Sequence, residues 1–278
     1  MANKRMKFLI FRFLPLLFSL TLCSAAQAAT SSEIEAVFQK AMQIAEENQQ
    51  RFYMLVEQEQ LGQLDEKLRT QAAQEMTRNT LAYESELSKA SAGGHAVATY
   101  LLATLQEGRR VLRGFDYAKQ AEACRLYQTA AEQGLIAGAV ALLRDCESAS
   151  RRFMFDDPEL MRLRGLLLNA LDRPDKYSAH YPLPATTSLC FKEPKMFAVN
   201  NELPLTAMMD AYAPTLLSLE QFRADGFYLL AVKADIEKPT AGDYFQQVLA
   251  MAPDCIDPIN IGVRFNAKSG KPAEREAK

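Results

Sequence analysis

The side chains best suited to chemistry in this 278-residue chain are two histidines and five cysteines. His180 precedes Cys190 by ten residues, and a histidine that takes the proton of a thiol would create a cysteine nucleophile. Histidine and cysteine are also ligands that zinc prefers, but the cysteines are not spaced as CxxC and His95 is the only other histidine. The pattern therefore predicts no metal site.

The sequence also lacks the common catalytic, nucleotide-binding and metalloprotease motifs. The sequence contains no G-x-S-x-G, no G-x-x-x-x-G-K-[ST], no G-x-G-x-x-G and no H-E-x-x-H. His95 directly follows a glycine pair, where polar residues commonly cap the next helix, and Asp157 precedes Pro158 as an N-cap does. We therefore predict no catalytic residue and no cofactor. A cysteine- or histidine-dependent enzyme is the alternative, and it requires Cys190 to be a free thiol.

The N-terminal segment, from Met1 to Ala28, predicts a secretory signal peptide. A basic front is followed by an apolar run over residues 8–22 and by the small residues of Ala26-Gln27-Ala28. The run is too short and interrupted for a comfortable membrane span. A lipid anchor on Cys23 is disfavoured because Leu22 stands where such signals carry a small residue. We expect a periplasmic or secreted protein without stable membrane insertion after cleavage.

Net charge narrows the choice of partners. The signal holds four of the 32 basic residues and none of the 34 acidic ones, so 28 basic and 34 acidic side chains remain, a net charge of −6. An acidic chain without a basic stripe is a poor ligand for nucleic acid. The expected partner is another protein.

The four cysteines beyond the signal predict two disulfides, as an even number does in an oxidising compartment. Cys124 lies ten residues before Gly134 and Cys146 twelve after it, so both lie at nearly the same level of a hairpin that turns at that glycine. Their helical stripes both face the hairpin seam, and we expect them to pair. By elimination, Cys190 pairs with Cys255.

Apolar periodicity predicts an all-α fold. Residues 29–171 form a helical region, in which Ser32 and Glu35 suggest a capping box, Gly62 ends the first helix and Gly93-Gly94 ends the second. Residues 172–204 carry five prolines and no sustained period, and predict an irregular segment. Residues 205–265 predict a final helical pair joined near Lys238-Pro239, and 266–278 a frayed tail.

An internal repeat covers residues 81–147. Superposing Gly94 on Gly134 places the segment from Leu87 to Ala103 over the segment from Tyr127 to Leu143. Helical pairs repeated at this spacing predict a short α-solenoid of antiparallel hairpins. The segment LYQTAAEQG, from Leu126 to Gly134, resembles the end of the second helix in SEL-one-like repeats, and GGHAVATYLLATLQEGRRV resembles the opening of the next unit.

This resemblance implies a protein-binding scaffold. Secreted members of that family include immunity proteins that neutralise phospholipase effectors of type VI secretion, which is the specific function that we expect. They also include scaffolds for envelope, secretion or polysaccharide-export machinery, which is the alternative. Loops of such folds bind partners, and the candidate contact residues are Arg109, Arg110 and Arg113 in one predicted loop, and His180, Tyr181 and Lys192 in the proline-rich segment.

Overall fold

A computed structural model of the chain confirms the all-α class. It describes residues 14–112, 117–146, 154–186, 188, 190–191, 204–205, 207, 215–235, 238–253 and 255, with side chains from residue 32 onward except those of 110–112 and 117–119. The helices in these ranges are α1 (Leu14–Gln60), α2 (Glu66–Ala92), α3 (Ala96–Leu112), α4 (Tyr117–Glu132), α5 (Ile136–Asp145), α6 (Pro158–Leu171), α7 (Leu219–Val232) and α8 (Pro239–Met251). Strands β1 (Leu183–Ala185) and β2 (Thr215–Leu217) form one antiparallel pair.

Neighbouring helices pack in chain order from α1 to α6. Helix α7 then packs back against α5 and α6, and α8 packs on α7. The main core lies where these elements meet, around the fully buried rings of Tyr100, Tyr127 and Phe222. Tyr100 and Tyr127 lie with their ring centroids 5.6 Å apart, which joins α3 to α4 through aromatic contact.

The two repeat units share one backbone turn. Gly94 and Gly134 have φ angles of 93° and 92°, which glycine adopts without steric cost. The N–H of the following residue reaches back to the carbonyl five residues earlier, from His95 to Ala90 at 3.0 Å and from Leu135 to Ala130 at 3.1 Å. Each turn is therefore a Schellman motif, and the two glycines that the sequence alignment superposes are equivalent in three dimensions.

The hairpin of α1 and α2 reaches beyond the main core. Among its described side chains, from residue 32 onward, Phe38, Ala41, Leu87 and Ala90 belong to the buried core cluster. From Ala41 to the end of α1 the helix continues for about 28 Å, at about 1.5 Å per residue. Gly62 ends the hairpin's first helix as predicted, with a φ of 67°.

The predicted capping box at Ser32 and Glu35 is wrong. Helix α1 runs without a break from Leu14 through both residues, so neither lies at a helix start. Glu35 instead accepts a hydrogen bond from Gln39 one turn later, at 2.7 Å, and faces α3. The side chains of the predicted signal, including that of Cys23, lie outside the described part. None of the helices in the described ranges combines the length and the hydropathy that a bilayer span requires.

Both predicted disulfides are present. Cys124 and Cys146 bridge α4 to the end of α5 with their Cα atoms 5.7 Å apart, and Cys190 and Cys255 are joined at 4.2 Å. The first closes the α4–α5 hairpin opposite Gly134, as the level of the two cysteines predicted. The second ties the proline-rich segment to the residues that follow α8.

A buried ion-pair network fixes the proline-rich segment to the helices. Arg144 of α5 donates to Asp145 at 2.8 and 2.9 Å and to the fully buried Asp225 of α7 at 3.2 Å. The other oxygen of Asp225 accepts the Cys190 N–H at 3.1 Å. Burial alone would lower the pKa of Arg144, but these carboxylates raise it above its ordinary value. Each of the two carboxylates is paired with Arg144, and the second oxygen of Asp225 accepts a backbone N–H, so the buried polar atoms have hydrogen-bond partners.

The boundaries of the C-terminal region need one correction. Leu205 and Ala207 lie in helical backbone, as the pattern predicts, but Thr215–Leu217 forms strand β2 and helix α7 begins at Leu219. Ser218 caps this helix in a capping box with Gln221, so the strand ends where the cap begins. Helices α7 and α8 pack on one another across the connection that ends at Pro239. The tail 266–278 lies outside the described residues.

Candidate functional site

His95 lies at the first Schellman turn and caps α3. Its Nδ1 accepts the backbone N–H of Ala98 at 3.2 Å, and its ring is almost completely buried. This is the structural role that its position after Gly94 predicted. The other ring nitrogen, Nε2, lies 3.1 Å from Oε2 of Glu35. Because Nδ1 accepts, Nε2 carries the proton of the neutral ring and donates it to Glu35.

His180 joins this pair from the proline-rich segment. It lies in a single 3-10 turn, Ser178–His180, and its ring meets that of His95 edge to face with centroids 5.4 Å apart. One possible ligand atom from each of Glu35, His95 and His180 lies within 4.8 Å of the other two. Three segments that are distant in sequence thus converge on one point, which we call the histidine cluster.

Aromatic rings hold the histidine cluster in place. Phe38 stacks on His95 with centroids 4.1 Å apart and meets His180 edge to face at 5.4 Å. The ring centroid of Tyr177 lies 6.4 Å from that of His180 and 6.5 Å from that of His95. Burial lowers the pKa of His95, and the hydrogen bond with Glu35 opposes that shift. The hydrogen bond from Gln39 lowers the pKa of Glu35.

Tyr181, a predicted partner contact, has a structural role at the second turn. Its hydroxyl donates to Asp175 at 2.9 Å and accepts the Ala137 N–H at 3.3 Å. Asp175 also accepts the Ile136 N–H at 3.4 Å. Leu135 offers α5 no side-chain cap, so these two residues of the proline-rich segment supply one from outside the helix.

Arg109 lies in α3 and not in a loop, so the predicted loop placement of Arg109 and Arg110 is wrong. The helix continues through Gly108, and Arg109 forms a bidentate ion pair with Glu84 of α2, at 2.7 and 2.5 Å. Gln106 also donates to Glu84, at 3.4 Å. The carboxylate of Glu84 raises the pKa of Arg109. This guanidinium fastens α2 to α3.

The remaining predicted contact residues fall where little or nothing is described. Arg110 lies in α3, but its side chain is outside the described part, as are Arg113 and Lys192 entirely. Their role as partner contacts stays a prediction. The alternative of a His180–Cys190 nucleophile meets a different arrangement, because the sulfur of Cys190 is bonded to Cys255 and His180 lies against His95 and Phe38.

Comparisons of the chain with protein-family models, with curated proteins and with solved structures gave no significant match. The resemblance to SEL-one-like repeats therefore stays a prediction, which the sequence segment Leu126 to Gly134 carries.

Sequence reasoning missed the histidine cluster and the outside cap on α5. Glu35 was assigned to a helix start, and nothing in the local pattern links it to His95 or His180, which lie far along the chain. One signal was present: His95 follows a predicted turn and His180 lies in the predicted irregular segment, so neither is fixed inside a predicted helix. Asp175, which follows Pro174 in the irregular segment, gave no pattern that identifies the helix it caps.

Proposed function

We propose that this chain is a non-catalytic, periplasmic protein-binding module that holds its partner on the α1–α2 hairpin. The observation that carries the proposal is the part of this hairpin from Met42 to Leu81, which we call the distal hairpin. It lies beyond the main core and exposes Tyr53, Met54 and Leu61 by 51–62%. Large apolar side chains in such positions favour contact with another protein.

The inner seam of the distal hairpin is too polar to explain its length by packing alone. Leu55, Val56 and Ala72 are its buried apolar residues. Half-buried apolar side chains such as Phe52 and Leu68 line the rest of this part. Polar contacts join its two helices, including the hydrogen bond from Asn48 to Thr80 at 3.4 Å and the ion pair of Arg51 with Glu75. Each ordered residue costs about 1–2 kcal/mol of backbone entropy. An arm that gains little from burial is more easily explained by a surface that it presents.

The charge of the distal hairpin indicates the chemistry of the partner. Between Met42 and Leu81 the sequence has seven acidic and four basic residues. Acidic groups interspersed with tyrosine, methionine and leucine suit a partner surface that is basic around an apolar centre. Within this class we propose an immunity protein that neutralises a phospholipase-like effector of type VI secretion. A scaffold for envelope or export machinery is the second candidate.

The non-catalytic part of the proposal rests on the chemistry of the reactive groups. The disulfide to Cys255 leaves Cys190 without a thiolate to act as nucleophile. His95 caps a helix, and the buried Arg144 is neutralised by two aspartates. These groups are occupied in holding the fold.

Site-specific photo-crosslinking in living cells tests the binding surface. A benzophenone amino acid replaces Tyr53 on the distal hairpin in one variant and Met161 on α6 in the matched control, since the two side chains are exposed by 51% and 56%. We expect a discrete adduct from position 53 and none from position 161. Mass spectrometry then identifies the captured protein.

The identity of the adduct separates the candidates. A secreted lipase-like protein whose toxicity this chain suppresses on co-expression supports immunity, and loss of that protection in a Tyr53→Ala/Met54→Ala variant localises it. An envelope or export component favours the scaffold. Equal labelling from both positions, or none from position 53, contradicts binding through the distal hairpin. Free thiols in the native protein, counted by mass spectrometry, would reopen the cysteine-enzyme alternative.

A further inference from the structure

We propose that Glu35, His95 and His180 bind one divalent transition-metal ion, with zinc as the reference ion. These residues are the histidine cluster, and one nitrogen or oxygen from each lies within 4.8 Å of the others. The chain has two histidines in 278 residues, and the fold brings both to this point. The absence of a metal site was predicted because the cysteines are not spaced as CxxC and the chain has two histidines, and that reasoning did not consider Glu35 as a third ligand.

The donor set suits the proposed ion. Two imidazoles and one glutamate are a recurring set for zinc with a fourth position left open. Ligand atoms around a tetrahedral zinc ion lie about 3.3 Å apart, given bonds of about 2.0–2.1 Å. Oε2 of Glu35 and Nε2 of His95 are already 3.1 Å apart. Closing the set requires adjustment of His180 and of the Glu35 carboxylate, whose side chain is 45% exposed.

The surroundings already orient the ligands. Gln39 donates to one oxygen of Glu35 at 2.7 Å and leaves the other directed at His95. Phe38 stacks on the His95 ring and restricts its tilt. Hydrogen bonds and packing of this kind around the ligands hold a metal site in shape before the ion arrives.

The helix cap that His95 provides opposes metal binding, because the ion and the cap compete for the ring nitrogens. The Ala98 N–H donates to Nδ1 of His95, which keeps the proton on Nε2, the nitrogen that faces the cluster. An ion at Nε2 requires the proton to leave or to move to Nδ1, and this disrupts the cap. Loss of a cap weakens binding by about tenfold, against the many orders of magnitude that three ligands supply. We therefore expect a site that is weaker than an optimised one but still specific.

Calorimetry with zinc chloride tests the proposal on the full chain, purified with intact disulfides and without a polyhistidine tag, after metal has been stripped. We expect one zinc ion per chain. His180→Ala should weaken binding at least about 100-fold, because it removes a ligand outright, whereas changes that only support ligands cost about 10–100-fold. Glu35→Gln removes the charged oxygen from a partly exposed position, so its folding is safe. Glu33→Gln, an exposed carboxylate on the same helix, is the matched control.

Histidine-selective NMR distinguishes metal binding from a purely structural role of the two histidines, because a structural role predicts no change of their ring signals when zinc is added. With two histidines in the chain, the ring signals of both should shift together as one equivalent of zinc is added, and Co²⁺ should develop the visible bands of a tetrahedral ion. Both responses should disappear in Glu35→Gln and persist in Glu33→Gln. Zinc that binds equally well to the wild type, His180→Ala and Glu35→Gln, or zinc that leaves both ring signals unmoved, overturns the proposal.

Discussion

The turn at Gly94 and the turn at Gly134 have the same backbone and different surroundings. Each is a Schellman motif with the same two hydrogen bonds. The first is followed by His95, which caps its own helix and faces Glu35 and His180. The second is followed by the fully buried Leu135, and its helix is capped from outside by Asp175 and Tyr181. The repeat preserves the turn and leaves the next residue free to diverge.

The ends of the two hairpins that lie opposite Gly94 and Gly134 also share positions but differ in chemistry. When Gly94 is aligned with Gly134, Cys124 and Cys146 correspond to Glu84 and Gln106. The cysteines form a disulfide, whereas Gln106 donates to Glu84 at 3.4 Å and Arg109 reinforces that contact with an ion pair. Equivalent positions thus clamp both units, covalently in one and by polar contacts in the other. We therefore expect the second unit, with its covalent crosslink, to resist opening more than the first.

Removing the covalent clamp should have the largest effect. We expect Cys124→Ala/Cys146→Ala to lower the free energy of unfolding by about 3 kcal/mol, because the unfolded chain regains the entropy that a crosslink of 22 residues removes. Urea denaturation measures it. Glu84→Ala, which breaks the polar clamp, should cost about 1 kcal/mol. Equal losses of unfolding free energy in the two variants would contradict the expectation that the disulfide stabilises its unit more than the polar contacts stabilise theirs.

Transferring the covalent clamp to the first unit sharpens the comparison. If the two hairpins are equivalent, Glu84→Cys/Gln106→Cys should form a disulfide under oxidising conditions. The net gain should be about 2 kcal/mol, since the polar clamp is lost while the crosslink is added. Mass spectrometry should detect no additional free thiol. A pair that stays reduced would show that the hairpins differ in register, whatever the likeness of their turns.

The two caps should differ by about 1 kcal/mol. Asp175→Ala leaves the Ile136 N–H, the Tyr177 N–H and the Tyr181 hydroxyl without their acceptor, and we expect a loss of about 2 kcal/mol. His95→Ala removes one cap, and we expect about 1 kcal/mol. Both are measured with a chelator present, so that a bound metal does not contribute. Asp156→Ala, an exposed aspartate, is the control and should change stability by less than about 0.5 kcal/mol.

The smallest difference is expected at the two glycines. An added Cβ would meet nothing within 4 Å at Gly94 or at Gly134, so the cost of Gly→Ala arises from φ alone. Each substitution should cost about 1 kcal/mol, and the two should agree within about 0.5 kcal/mol. Gly108→Ala, inside helix α3 with open space around it, should stabilise instead, by about 0.5–1 kcal/mol. Unequal costs at the two turns would contradict their equivalence.

Local patterns predicted local structure well in this chain. Gly62, Gly94 and Gly134 end helices where their backbone freedom is needed, and Asp157 caps α6 through the N–H groups of Glu159 and Leu160. The disulfide of Cys124 followed from helix rise and facing within one hairpin. These features depend on residues that are close in sequence or related by a simple repeat.

Where segments that are distant in sequence meet, the predictions were wrong or none was made. The pattern of Ser32 and Glu35 is typical of a helix start, but the helix had begun earlier and Glu35 was directed at His95 instead. Arg109 was predicted in a loop between helices, whereas it lies in α3 and pairs with Glu84 of α2. Asp175 caps a helix that lies far before it in the sequence, which no local rule can indicate.

The order of the four cysteines has a consequence for how the chain is oxidised. Of the four cysteines beyond the predicted signal, Cys124 pairs with Cys146 and Cys190 pairs with Cys255. The two bridges therefore neither overlap nor enclose one another. A chain that emerges from its N-terminus can complete the first bridge before Cys190 has appeared. Of the three connectivities available to four cysteines, this is the one that a simple oxidant produces by joining neighbours as they arrive. We therefore expect native pairing to form without a reshuffling enzyme.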